Sequence, residues 1–163
     1  MLEAFILVAL CGAPALLEHP AEPNDPSKVT VWRLVVVAII EVLPGVSRYE
    51  IFQGQFGSES PKPTALLCAN LHNIRHHLRT HQLWKTSPTS VSIGTDSQGN
   101  FRTAKLKEYP PAMNRALAGA FFEAVSKLPS DPTRVVDSDF RERCERLLCA
   151  EYGTSFGPDF APQ

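Results

Sequence analysis

The sequence predicts an α/β fold in which helices flank a mainly parallel, Rossmann-like sheet. Short apolar runs with strand propensity alternate with stretches of helical periodicity, which is typical of this class. Hydrophobic residues make up 44% and charged residues 20% of the 163 residues, a balance that indicates a globular chain with one core of ordinary size. The formal net charge of −1 gives no overall attraction to nucleic acid or to an anionic membrane, so contact with a polyanion requires a local patch.

The first half of the chain begins with an apolar segment over residues 3–10, which has no basic residue and is too short to span a bilayer. It is predicted as a buried helix. Residues 15–17 are predicted as a buried strand that ends at Glu18. Thr30 is expected to cap a helix over 31–43, where a strand is the rival because Val and Ile favour strands.

Further along, strands are predicted over 49–52 and 64–69, with a polar loop between them. Asn70 is expected to cap a helix over 71–81, and residues 91–103 are predicted as a small hairpin.

The last predicted elements are two helices. Proline is tolerated in a first turn, so a helix is expected to begin at Pro110 and to run to residue 127. Its buried stripe consists of Met113, Leu117, Phe121 and Ala124. Asp137 or Ser138 is expected to cap another helix. We expect a domain over 1–130, followed by the C-terminal helix and a loose tail over 131–163.

Glu18 is the first candidate for a functional role. It follows an apolar strand directly, at the strand end where open α/β sheets place their sites. A carboxylate there could accept hydrogen bonds from a ring nitrogen and an exocyclic amine. The rival interpretation is an ordinary surface glutamate at a strand end.

A second candidate is the basic and aromatic segment 71–85. Arg75, Arg79 and Lys85 could contact phosphates, and Trp84 could stack on a base. The rival interpretation is a solvated helix surface with the tryptophan tucked onto the core.

Histidine and cysteine spacing predicts no metal site. Four histidines lie between residues 72 and 81, but their i, i+4 pairs point to different sides of a helix that carries no carboxylate. The four cysteines form no CxxC pair, which indicates reduced thiols in an intracellular protein, nuclear or cytoplasmic. There is also no GxGxxG turn and no Walker loop.

Three segments resemble, in order, the later motifs of the DNA cytosine-5 methyltransferase family. Residues 15–20, Ala-Leu-Leu-Glu-His-Pro, resemble the strand ending in Glu-Asn-Val or Glu-Asn-Pro, whose glutamate holds the target cytosine. Residues 56–64, Phe-Gly-Ser-Glu-Ser-Pro-Lys-Pro-Thr, resemble the Gly-Val-Pro-Gln-x-Arg-x-Arg loop. Residues 109–118, Tyr-Pro-Pro-Ala-Met-Asn-Arg-Ala-Leu-Ala, resemble the closing motif, where Val-Pro-Pro precedes an alanine-rich helix.

The resemblance implies a methyltransferase sheet with Glu18 as its catalytic acid, Lys62 as a nucleic-acid contact and S-adenosylmethionine as cofactor. The chain nevertheless lacks the family's glycine-rich cofactor turn and its Pro-Cys nucleophile motif. Lys62 and Thr64 replace the arginines of the loop, and Lys107-Glu108 stand where an asparagine is expected. Cytosine methylation needs a thiolate, an acid and a methyl donor, and this chain offers the acid alone.

We therefore expect a truncated or degenerate methyltransferase-like domain that binds no cofactor and is inactive by itself. Its expected partners are a missing N-terminal half and DNA, the latter through the local basic patch, with no membrane. An active enzyme completed by a partner chain is a further alternative. The main alternative is a module that binds nucleic acid or protein through the basic helix 71–85.

Overall fold

A computed structural model describes residues 2–85 and 108–128, together with Arg146. The helices and strands of these residues, in chain order, are α1 (Leu2–Leu10), β1 (Ala15–Pro20), α2 (Val35–Glu41), β2 (Val46–Phe52), β3 (Pro63–Ala69), α3 (Ile74–His81) and α4 (Pro111–Ser126). Short 3-10 helices at Val31–Arg33 and Gln53–Phe56 precede α2 and follow β2. The predicted hairpin over 91–103, the helix from residue 138 and the boundary at residue 130 lie outside the described residues.

The three strands form one sheet in the order β1-β3-β2, and both neighbouring pairs are antiparallel. The mixed α/β class is confirmed, but the parallel pairing expected of a Rossmann-like sheet is wrong for these strands. The reason lies in residues 53–62, which reverse the chain through a 3-10 helix and Gly57 in the left-handed region (φ 104°). This connection is too short for a helical crossover, so β3 returns beside β2 in the opposite direction.

The outer strands β1 and β2 are both antiparallel to β3, and they therefore run in the same direction as each other. The chain passes between them through α2, which is the helical crossover that two strands of equal direction require. Strand β3 then occupies the place between them.

The sheet separates two apolar cores. Helices α1 and α2 pack on one face, against Ala65, Leu67 and Ala69 of β3. Helices α3 and α4 pack on the other face, against Leu66 and Cys68. Because β3 is buried on both faces, its sequence is a continuous apolar run rather than an alternating one.

Helices α1 and α4 occupy the segments that the sequence predicts. In α4, Met113 and Leu117 are buried, whereas Phe121 and Ala124 are half-buried at the edge of the core. The segment after Thr30 is helical rather than a strand, and the Thr30 side chain accepts a hydrogen bond from the Trp32 amide at 3.4 Å. The predicted single helix is interrupted at residue 34, where the backbone is extended.

The expected helix cap at Asn70 is wrong. Asn70 lies in the left-handed region (φ 56°), and α3 begins only after Asn73. The side-chain amide of Asn70 instead donates hydrogen bonds to the backbone carbonyls of Ala9 and Ala13, at 3.1 and 3.0 Å. It therefore fastens the end of α1 and the turn that follows it to the end of β3.

Candidate functional site

Glu18, Leu66 and Tyr49 form one row across the sheet, on the face that α3 and α4 cover. The register pairs Leu66 with Glu18 on one side and with Tyr49 on the other. Residues directly opposite each other in antiparallel strands project to the same face. Glu18 thus lies within β1, two residues before its last residue, and not after the strand as the sequence predicts.

The Glu18 carboxylate is held by Tyr109, 91 residues further along the chain. The Tyr109 hydroxyl donates to Oε2 of Glu18 at 3.0 Å, and both residues are half-buried. Burial, followed by the negative charge and the acceptor oxygen of Glu18, raises the pKa of Tyr109 to about 12. The phenol is therefore a protonated donor at neutral pH.

Lys62 adds a positive charge to this group. Its ammonium lies 5.9 Å from the centre of the Tyr109 ring, within the range of a cation–π contact. Two hydrogen bonds fix the loop that carries Lys62. The buried Gln53 side chain donates to the Thr64 hydroxyl at 3.0 Å. The Thr64 hydroxyl in turn donates to the Lys62 carbonyl at 3.1 Å.

The predicted catalytic acid and the predicted loop lysine are thus brought together, and the tyrosine of the third segment joins them. Sequence reasoning did not single out Tyr109, although it opens the Tyr-Pro-Pro segment. The available signal was the pair of prolines, which fixes the backbone of the preceding residue in an extended conformation.

A shallow cavity of about 210 Å³ lies beside Tyr109. Its lining consists of Gly57, Ser58, Glu59, Glu108, Tyr109, Pro110 and Pro111. The two glutamates on this lining disfavour an anionic ligand in the cavity itself. The space is smaller than the roughly 300–1,000 Å³ of pockets that enclose drug-sized ligands.

The basic residues of the second candidate lie along the exposed side of α3. Arg75 and Arg79 are exposed and one helical turn apart, and the Arg75 guanidinium lies 5.9 Å from the centre of the Tyr49 ring. Arg75 therefore stands over the same row that contains Glu18. Arg79 lies one turn further along the helix.

Trp84 and Lys85 follow α3 and are anchored by the 3-10 helix after β2. The Trp84 amide donates to the Gln55 carbonyl at 3.2 Å, and the Gln55 side chain donates to the Lys85 carbonyl at 3.1 Å. About half of the Trp84 surface, 53%, is nevertheless exposed. The tryptophan is held in place without being tucked onto the core.

One of the four histidines between residues 72 and 81 is partly withdrawn from solvent by a contact with α4. His77 is half-buried, and its Nε2 lies 3.0 Å from Oε2 of Glu123 on α4. Glu123 also contacts Asn73 and Lys127. These partners, Lys127 first, hold the pKa of Glu123 at about 2. Among the described residues, no three His, Cys, Asp or Glu side chains are grouped as metal ligands.

On the opposite face of the sheet, sequence reasoning also missed a group of charged and aromatic side chains around Arg48. Its guanidinium lies 4.4 Å from the Trp32 ring centre and forms ion pairs with Glu50 at 2.9 Å and Glu41 at 3.3 Å. The ion pair with Glu41 joins β2 to α2. The sequence carried a weak signal, since Arg48 and Glu50 are two residues apart in a strand and therefore lie on the same face.

The described residues do not fit S-adenosylmethionine. None of the three strands leads through a glycine-rich turn into the first turn of an α-helix. Such a turn is what allows a backbone to approach a nucleotide-like cofactor closely. A second cavity, of about 140 Å³, lies between the C-terminal half of α4 and the residues just before α3, and it is also smaller than a cofactor pocket.

Comparison with known proteins found no match to any family model, to any curated protein or to any solved structure. In the part of the chain that the structure describes, no helix combines the length and the apolarity needed to traverse a bilayer.

Proposed function

We propose that this chain is a truncated or degenerate copy of a DNA cytosine-5 methyltransferase-like domain that holds a cytosine at Glu18 without methylating it. The observation that carries the proposal is the contact of the Tyr109 hydroxyl with the Glu18 carboxylate, with Lys62 against the tyrosine ring. These residues come from the three separate segments that resemble the family. Their meeting at one place supports a shared site.

The chemistry at this site is recognition by a carboxylate. Tyr109 donates to Oε2 of Glu18, and Oε1 is the acceptor for the exocyclic amine of cytosine or for its protonated ring nitrogen. Hydrogen bonds to an ionised acceptor are roughly twice as strong as neutral ones. Thymine offers a carbonyl at the position of the amine, so the same carboxylate would reject it.

The described thiols do not supply a nucleophile. Cys68 lies on the same face of the sheet as Glu18, but its side chain is 1% exposed. Burial raises the pKa of its thiol to about 12, which suppresses the reactive thiolate. Cys11 is exposed at the end of α1, whose helix packs on the opposite face. We therefore propose base recognition without methyl transfer.

The proposed missing half is supported by a surface beside β1. Within the described residues, β1 pairs with β3 alone, so its other edge has no strand partner. Leu7 and Val8 of α1 are 49% and 39% exposed. A strand edge without a partner beside exposed apolar side chains is a natural site for another part of a larger protein.

Binding of two single-stranded oligonucleotides tests the proposal. They differ at one position, cytosine in one and thymine in the other, and fluorescence anisotropy gives both dissociation constants. We expect the cytosine strand to bind about five- to tenfold more tightly, and Glu18→Gln to remove the difference. The matched control is Glu50→Gln, an exposed glutamate on the other face. A preference that survives Glu18→Gln would refute the proposal.

A second function is favoured by the composition of the α3 surface. Arg75, Arg79 and Lys85 are exposed, and the segment 71–85 contains no acidic residue. With the exposed Trp84, this surface fits a single-stranded nucleic acid, since phosphates bind cations and bases stack on aromatic rings. We propose it as a sequence-independent contact that accompanies or replaces recognition at Glu18.

A further inference from the structure

We propose that Tyr109 is a positioning residue for Glu18, which fixes one carboxylate oxygen so that the other is presented to the ligand. The inference rests on the proposed function. It adds a residue that neither the sequence pattern nor the resemblance assigns, because the family's closing motif carries valine at this place.

The position of the Tyr109 hydroxyl is set by the start of α4. Pro110 is buried, and its carbonyl accepts the Asn114 amide at 3.0 Å in the first turn of the helix. The Asn114 side chain donates to the Tyr109 carbonyl at 3.4 Å. Met113, in the same turn, is fully buried against the sheet. These contacts fix the backbone of Tyr109 at the start of α4, and from this position the phenol reaches the Glu18 carboxylate.

A carboxylate on a strand has freedom about its terminal torsion, which is broad and nearly two-fold. A donor on Oε2 removes most of this freedom, and it leaves Oε1 as the stronger candidate for an incoming donor. The raised pKa of Tyr109 is consistent with this role, because it keeps the phenol protonated, and therefore a donor, at neutral pH. Ordering an acceptor before binding reduces the entropy lost on binding.

The variant Tyr109→Phe separates the hydroxyl from the ring. It keeps the aromatic face that Lys62 contacts and the packing beside Pro110. We expect its thermal unfolding to stay close to that of the wild type and its preference for cytosine over thymine to fall by about two- to threefold, which leaves part of the preference in place. Affinity for the thymine strand should not change. Tyr49→Phe, on the same face of the sheet, is the matched control.

A second measurement tests the hydrogen bond between Tyr109 and Glu18 in the absence of any ligand. Tyrosine labelled with ¹³C at Cζ reports phenol ionisation by NMR, and the Tyr109 signal is assigned from its loss in Tyr109→Phe. At a pH about one unit below its raised pKa, Tyr109 should remain largely protonated in the wild type. It should ionise more in Glu18→Gln, because the carboxylate that raises its pKa is gone.

The outcomes distinguish the two proposals. If Glu18→Gln removes the cytosine preference and Tyr109→Phe reduces it, the positioning role stands. If Glu18→Gln removes it but Tyr109→Phe leaves it intact, the positioning role is overturned and the proposed function stands. If neither variant changes the preference, the proposed function fails and the positioning role fails with it. An unchanged Tyr109 titration in Glu18→Gln overturns the contact itself.

Discussion

Gly119 on α4 lies against the imidazole of His77 on α3, so closely that a methyl group at residue 119 would stand 2.8 Å from Nδ1. The absence of a side chain allows the two helices to approach while His77 reaches Glu123 on the next turn of α4. This packing closes the layer that covers Glu18. The close approach of Gly119 to His77 can therefore be tested by adding a single methyl group at residue 119.

We predict that Gly119→Ala destabilises the protein by roughly 1–2 kcal/mol. Forcing a methyl into filled space costs about 1–3 kcal/mol, against a gain of at most about 1 kcal/mol in helix propensity. Urea unfolding monitored by circular dichroism measures the difference. In a His77→Ala background the same change should be stabilising, because only the propensity gain remains. A loss of equal size in both backgrounds would contradict the contact.

The carboxylate of Glu123 predicts a loss of stability in acid. Its pKa is about 2 in the folded protein, below the ordinary value of 4.5, because Lys127, His77 and Asn73 bond the charged form. A group whose pKa is lowered by folding stabilises the protein above its unfolded pKa, and this contribution disappears as the pH falls through the folded value. The Glu123 contribution should therefore be complete above pH 4.5 and decline towards pH 2.

Thermal unfolding of the wild type and of Glu123→Gln across this range measures the effect. The wild type should unfold at the higher temperature near neutral pH, and the two curves should converge as the pH approaches 2. Glu108→Gln, a change at an exposed glutamate, serves as the control for general acid effects. A constant difference between wild type and Glu123→Gln at every pH would show that the charge of Glu123 is not involved.

The basic side of α3 predicts salt-dependent binding to polyanions. Replacing both Arg75 and Arg79 by alanine should weaken binding to a single-stranded oligonucleotide and reduce the slope of log K against log salt. Each lost phosphate contact changes this slope by about 0.7 for a single strand, so the double variant should change it by roughly 1.4. Arg115→Ala, exposed on α4, is the control. Identical affinity and slope in the double variant would exclude this surface.

The two described cysteines should differ in reactivity. Cys68 is buried with its pKa raised from 9.0 to about 12, which leaves about a thousandfold less thiolate than in an unperturbed cysteine. Cys11 is exposed. Alkylation followed by peptide mass spectrometry should modify Cys11 in the native protein and Cys68 only after denaturation. Equal rates at both residues in the folded state would contradict the burial of Cys68.

The sequence predicts much of the local structure but not the direction of the strands. Strand β3 was predicted because its apolar run is long enough and is bounded by turn residues. Such a run is buried on both faces whether its neighbours are parallel or antiparallel, so it carries no information on direction. Direction follows here from the tight reversal at Gly57, which depends on one backbone conformation.

In the candidate site, too, features set by neighbouring residues were predicted from the sequence, whereas contacts between distant segments were not. Glu18 stands out locally as a charged residue directly after an apolar run, whereas Lys62 is singled out only by the resemblance of its loop to a family motif. The partner of Glu18 was not found, because Tyr109 reaches it only through the packing of α4 on the sheet. Asn70 was assigned to the wrong role for a similar reason. Its preferred partners are carbonyls near residue 10, which no local pattern reveals.

The central claim, that the Glu18 carboxylate accepts the exocyclic amine of cytosine, is tested most directly on the amine itself. An oligonucleotide with a single cytosine labelled with ¹⁵N at this amine is titrated with the protein and followed by NMR. We predict that the amine proton resonances shift downfield with the wild type, as a hydrogen bond to a carboxylate requires, and that they do not with Glu18→Gln. The same shift with both proteins would contradict the account.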